Sequence, residues 1–120
     1  MGEIDWAWLL FSFDGRINRA KFWLGVGAMW FVTWIVWTIA FATGSGFMWF
    51  IASILALLII WPSLAVSIKR WHDRNKSGWW ILIGLIPIIG GLWVLIETGF
   101  LPGTVGSNEF GLDPLGPVGY

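Results

Sequence analysis

Residues 79–101 read WWILIGLIPIIGGLWVLIETGFL, 23 residues whose only formal charge is Glu97. The path of this stretch through a bilayer decides the fold. At roughly 1.5 Å rise per residue it reaches about 33 Å as a helix, enough for a hydrocarbon core of about 30 Å. Pro87 sits in its middle, where it removes a backbone donor and kinks a helix. The alternative is a re-entrant hairpin with its tip at Ile86-Pro87-Ile88-Ile89-Gly90-Gly91. Each arm would then fall well short of the roughly 17 residues a span needs. A single span kinked at Pro87 is therefore expected.

Two further apolar runs precede it. Phe22 to Thr43 and Phe47 to Ile68 are each 22 residues without a charge. Backbone polar groups in lipid must be satisfied within the segment, so each run is expected to be a helix. Gly44-Ser45-Gly46 is a minimal turn, which makes the first two spans an antiparallel hairpin; Pro62 falls inside the second. The stretch 4–13 is nearly all apolar but too short to cross. Trp6, Trp8, Phe11 and Phe13 suit a short amphipathic helix in the interface. Asp14-Gly15 reads as a turn, and Asn18 as the N-cap of the first span. The tail, 102–120, is rich in Gly and Pro without helical or strand period, and alone would be flexible. The expected architecture is one all-α membrane domain over 1–120. It has an interfacial helix at 4–13, transmembrane helices at 22–43, 47–68 and 79–101, and an irregular extramembrane tail.

Composition agrees. The chain is 58% hydrophobic and 12% charged, with mean hydropathy +0.77. A soluble domain of 120 residues could not hide so much apolar surface. The net charge of +0 and the lack of a basic stripe outside the membrane flanks give no reason to expect nucleic acid. The absence of cysteine excludes disulfides, thiolate metal sites and a Cys nucleophile. The first charges are Glu3 and Asp5, so the N-terminus does not read as a secretory signal. Trp6 stands where a myristoylation signal needs Ser or Thr.

All seven Lys and Arg fall in two segments. Arg16, Arg19 and Lys21 precede the first span; Lys69, Arg70, Arg74 and Lys76 separate the second and third. The positive-inside rule puts both segments on the cytoplasmic side of the membrane. With three spans, the tail would then be periplasmic. These seven residues are candidates for binding anionic lipid headgroups or phosphate, with Arg as a bidentate donor. Asp73 is expected to form a structural ion pair with Arg16 or Arg70.

There are 12 Trp. Trp23, Trp71, Trp79, Trp80 and Trp49 flank span ends as an aromatic belt. Trp30, Trp34 and Trp37 follow i, i+4, i+7 spacing at membrane depth. They form a stripe for a partner helix or a hydrophobic cofactor or pigment carried by a partner. Small-xxx-small pairs for helix contacts are Ala52 with Ala56, Ser63 with Ser67, and Ala40 with Gly44. His72 is the sole histidine. It has too few companions for a metal site and no nucleophile for catalysis, so no catalytic residue, metal or bound cofactor is expected. Glu97 is a carboxylate close enough to a span end to be an anchor.

Three motifs carry a family resemblance. They are Gly15-Arg16-x-x-Arg19-x-x-Phe22-Trp23; Arg70-x-His72-Asp73 with Ser77-Gly78-Trp79-Trp80; and Pro102-Gly103-Thr104 with Asn108-x-Phe110-Gly111-x-Asp113-Pro114. Together they resemble the domain-of-unknown-function 805 family, small YhaH-like proteins of the bacterial inner membrane. Glu109 departs from the pattern, where members often carry Arg or Lys. The resemblance implies fold and location but no activity. The expectation is a non-enzymatic accessory or structural subunit of a larger membrane complex, respiratory or photosynthetic for example. The alternative is a lipid-headgroup-binding or transport-related homo-oligomer using the basic cluster.

Overall fold

The computed structural model describes residues 5–115. Ile4, the expected first residue of the interfacial helix, and positions 116–120 of the tail lie outside the described residues. Every described element is helical. In chain order they are α1 (Trp6–Phe11), α2 (Arg19–Thr43), α3 (Gly46–Leu58), α4 (Ile60–Asp73), a 3-10 helix (Gly78–Leu85), and α5 (Ile89–Val94), which continues into a π-helical turn (Leu95–Phe100).

The first two expected spans are present as helices of 25 and 28 residues, each somewhat longer than the uncharged run it contains. Asn18 caps α2, its side-chain oxygen accepting the Lys21 N–H at 2.8 Å. Gly44, at φ 62, ends it in the left-handed conformation that favours glycine. Ser45 then caps α3. α3 and α4 form one rod of 28 residues, and Pro62 lies in the first turn of α4, where a missing N–H costs least. This rod and α2 are both long and apolar enough to cross a membrane. They form an antiparallel pair, with Ala40 and Ala52 buried where α2 meets α3.

The third apolar segment is not one helix but two short ones that fold back on each other. The 3-10 helix leaves the Asp73 end of α4, with Gly78 packed on Ile68 and Trp80 stacked on Trp71 at 6.1 Å. Midway, a Cβ on Gly84 would touch the Val94 side chain at 3.5 Å, so the two arms lie side by side. At the far end of the second arm, Glu97 bonds Arg74 and Lys76, which begin the first. The chain has returned to the end it left. The arms, at rises of about 2.0 and 1.5 Å per residue, reach roughly 16 and 18 Å. That is near half of a hydrocarbon core.

The turn explains itself residue by residue. Ile86 is extended, as a residue before proline prefers. Ile88 takes φ 67, a strained value for a β-branched side chain. Gly90 has no room for a Cβ, which would fall on the Ile83 carbonyl oxygen. The tip bonds its own donors: Ile86 N to Ile83 O at 3.1 Å, Ile89 N to Pro87 O at 2.7 Å, and Gly90 N to Ile86 O at 3.0 Å. The expectation of one kinked span at 79–101 is thus corrected to a re-entrant hairpin. The length criterion holds only for a segment that must cross. A segment that turns back needs only to satisfy its own backbone groups at the tip.

The short helix expected at 4–13 is present as α1. α1 docks on α2 and α4, with Leu9 buried beside Gly25 and Val66. Leu9, Ile17, Phe22, Met29 and Val66 make the core, all toward the Asp73 end. The hairpin gives opposite outcomes for two adjacent glycines. Gly90→Ala destabilises by about 1–3 kcal/mol through overpacking. Gly91→Ala, which meets open space, is neutral or stabilising. Thermal unfolding in detergent measures both, and equal stabilisation by the two would point to an unbroken helix.

Candidate functional site

Three chain segments meet at the Asp73 end: the stretch before α2, the end of α4 with its loop, and the tail. Asp73, 4% exposed, lies between two guanidinium groups. Arg16 donates to Oδ1 at 3.0 Å, and Arg70 donates to Oδ2. Thus Asp73 pairs with both arginines that were candidates. Arg16 also donates to the carbonyls of Thr104 (2.6 Å), Gly106 (2.6 Å) and Gly111 (3.2 Å). A buried cation this thoroughly bonded organises an irregular chain. The tail has no periodicity because its carbonyls turn inward toward one side chain.

Four cations, Arg19, Lys69, Arg70 and Arg74, bond carbonyls at or just past helix ends. A helix leaves its last four carbonyls without intrahelical donors, and its C-terminus carries partial negative charge. At the end of the re-entrant hairpin, Thr98 O accepts from Arg70 at 2.6 Å, and Gly99 O from the Trp23 indole at 2.8 Å. Phe100 O accepts from Arg19 at 2.8 Å, Leu101 O from Arg70, and Pro102 O from Arg74 at 2.6 Å. Lys69 does the same for α1, donating to the carbonyls of Trp8 (3.0 Å), Leu9 (2.8 Å) and Ser12. Glu97 is buried and receives Lys76 at 2.8 Å, Arg74 at 3.1 Å and the Trp93 indole at 3.1 Å. Lys76 also lies 4.9 Å from the Trp80 ring centroid, a cation–π distance.

The seven candidate cations therefore divide. Arg16, Lys69 and Arg70 are buried, with their donors turned to protein carbonyls and Asp73. Arg74 and Lys76 are partly exposed and engaged with Glu97. Arg19 is exposed and makes one bond; Lys21 side-chain nitrogen has no partner among the described residues. The reading of all seven as one headgroup-binding surface is corrected accordingly. A charge counted in sequence has no direction, and three of the seven, Arg16, Lys69 and Arg70, face inward.

The tail, expected to be flexible by itself, is fastened over positions 102–115. Thr104 N donates to Asp73 O at 2.7 Å, and Asn108 Nδ2 to His72 O at 2.9 Å. Phe110 stacks on His72 at 4.1 Å with planes 2° apart. Asp113 accepts the Gly106 N–H at 2.7 Å and fixes the tail's own turn. Because it bonds Asp73 and His72, the tail lies at the same end of the helices as the basic loops, where the expectation had put it at the opposite end. Gly103, in the Pro102-Gly103-Thr104 motif, lies against Asp73, a place no sequence pattern gave it: a Cβ there would fall on the carboxylate.

The tryptophan stripe also divides. Trp30 and Trp34 are 65% and 66% exposed, whereas Trp37 packs edge-on to Trp49 at 5.4 Å within the hairpin. Among the described residues no group of three or more acidic, His or Cys side chains is placed to hold a metal.

The Asp73 arrangement predicts a sharp contrast in stability. Asp73→Ala leaves two buried guanidinium groups uncompensated and costs about 3–5 kcal/mol. Arg16→Lys fails to restore the wild-type value, since an ammonium cannot reach the carboxylate and three carbonyls at once. Lys21→Ala changes stability by less than about 0.5 kcal/mol. Thermal unfolding of the three variants measures this; equal effects at Asp73 and Lys21 would mean the cluster acts only as a general field.

The matches to known proteins cover most of the chain. A family model described as a protein of unknown function, DUF805, matches residues 10–112. The inner membrane protein YhaH of Escherichia coli K12 is 33% identical over 106 residues, covering 86% of this chain and 87% of that protein. The inner membrane protein YhaI of the same strain is 34% identical over 104 residues, 86% of each. The uncharacterized protein YiiR, also from that strain, is 33% identical over 129 residues, 87% of this chain and 86% of that one. No solved structure matches. From the first basic motif through the tail, the matched span takes in every segment of the Asp73 knot, and the chain belongs to the DUF805 family.

Proposed function

We propose that this protein is a non-enzymatic integral protein of the bacterial inner membrane that packs as an accessory subunit against a larger membrane complex. The location rests on the inner-membrane names of YhaH and YhaI and on two helices long enough to cross. All seven Lys and Arg lie at one end of the helices, so that end, with the tail, is assigned to the cytoplasm. The Gly44-Ser45 turn is then periplasmic.

One observation carries the partner. Trp30 and Trp34 lie roughly 17 and 22 Å along α2 from Arg19, near mid-depth rather than at the headgroups. Both rings are exposed, and neither indole N–H has an acceptor among the described residues. Water is absent at that depth, so a buried N–H gains from an acceptor on another helix. The re-entrant hairpin reaches only halfway and leaves the turn-proximal half of the α2–α3 pair without a third element. A partner helix, or a hydrophobic cofactor held by it, fits that face.

The second reading, headgroup binding by a homo-oligomer, is supported by Arg19 and Lys21, the two cations least engaged inside the protein. Native gels of protein extracted from its own membranes separate the two. The subunit reading predicts co-migration with a larger complex. Trp30→Phe with Trp34→Phe, which keeps the rings and removes the N–H groups, weakens the association by about 1–2 kcal/mol while unfolding is unchanged. Migration as a monomer or a small homo-oligomer would overturn the subunit reading.

A further inference from the structure

His72 is not used up by the knot. Its Nδ1 lies 2.9 Å from the Gly15 carbonyl oxygen, which can only accept. Nδ1 therefore carries the proton, and in the neutral ring Nε2 is a bare acceptor. Nε2 has no partner among the described residues. The ring is held flat against Phe110, so this acceptor has a fixed direction.

His72 forms part of the wall of a cavity of about 600 Å³ between α4, the 3-10 helix and Phe13. This volume lies in the range of small-molecule sites. Its polarity is graded. His72 and Ser77 stand at the cytoplasmic rim; Leu64, Ile68, Trp79 and Leu82 line the remainder. Leu64 lies two turns of α4 deeper than His72, about 12 Å. None of the nine residues around the cavity is Lys, Arg, Asp or Glu. A phosphate or carboxylate head would find no counter-charge there, and burying a bare charge is costly. The chemistry that fits is an uncharged head that donates one hydrogen bond at the rim, above an apolar tail. The aromatic side chains of Phe13 and Trp79 in the lining suit an aromatic head better than a glycerol.

We propose that this cavity binds the hydroquinone head of a membrane quinol, its hydroxyl donating to His72 Nε2 and its isoprenoid tail leaving between α4 and the 3-10 helix. No redox step is implied; the site is a seat for the reduced head. It stands apart from the subunit reading, which rests on the opposite features of α2.

The chain has one histidine, so protein labelled with ¹⁵N-histidine gives one pair of ring nitrogens. In nanodiscs titrated with a short-tail ubiquinol, the Nε2 resonance moves upfield and saturates. The matching quinone, which has no donor, leaves it unmoved. Leu64→Trp, filling the cavity floor, abolishes the quinol shift while the Nδ1 resonance stays in place, so the fold around Gly15 is intact. An equal shift with dioctanoylglycerol would overturn the assignment to a quinol. A shift that grows without saturating, or that survives Leu64→Trp, would overturn the site itself.

Discussion

The fold depends on one carboxylate held between two buried guanidinium groups. Asp73 belongs to α4, Arg70 to the same helix one turn earlier, and Arg16 to the segment before α2. Two arginines around one aspartate leave an excess positive charge, and a buried charge is tolerated only with dense hydrogen bonding. The carbonyls of Thr98, Leu101, Thr104, Gly106 and Gly111 supply it. Those carbonyls lie at the end of the re-entrant hairpin and in the tail. The charge balance of the triad therefore requires the chain to come back, and a tail across the membrane could not provide the acceptors.

The same requirement assigns the other polar groups. Glu97 would be an expensive carboxylate at the far side of a span. On the returning arm it sits beside Arg74 and Lys76 and closes the loop that begins the hairpin. Lys69 ends α1 as Arg70 ends the third apolar segment, each cation placed against exposed helix carbonyls. The cost is concentrated at the tip, where Ile88 is strained and Gly90 has no space for a side chain.

Much of this was legible in sequence. The helical content, the first two spans, the Gly44 turn, the Asn18 cap and the pairing of Asp73 with its arginines follow from periodicity, cap chemistry and charge. The hairpin did not, because hydropathy and length treat residues 79–101 alike whether they cross or return. The Ile86–Gly91 tip was visible, but which of its two geometries wins depends on partners 20 to 90 residues away. The basic cluster misled for a related reason. Sequence counts charges and does not reveal their direction, and Arg16, Lys69 and Arg70 point into the protein. In the Trp30, Trp34 and Trp37 stripe, the spacing was right, yet Trp37 is taken by Trp49 of the next helix.

Glu97, beside Arg74 and Lys76, brings the third apolar segment back to the end of the helix pair where it began. The chain has no cysteine, so single cysteines report sidedness without background. Leu112→Cys marks the tail, 82% exposed; Asp14→Cys marks the basic face, and Gly46→Cys the opposite turn. A membrane-impermeant maleimide is applied to spheroplasts and to inverted vesicles. Leu112→Cys is expected to label with Asp14→Cys, in inverted vesicles, while Gly46→Cys labels in spheroplasts. Labelling of Leu112→Cys together with Gly46→Cys would contradict the return of the third apolar segment.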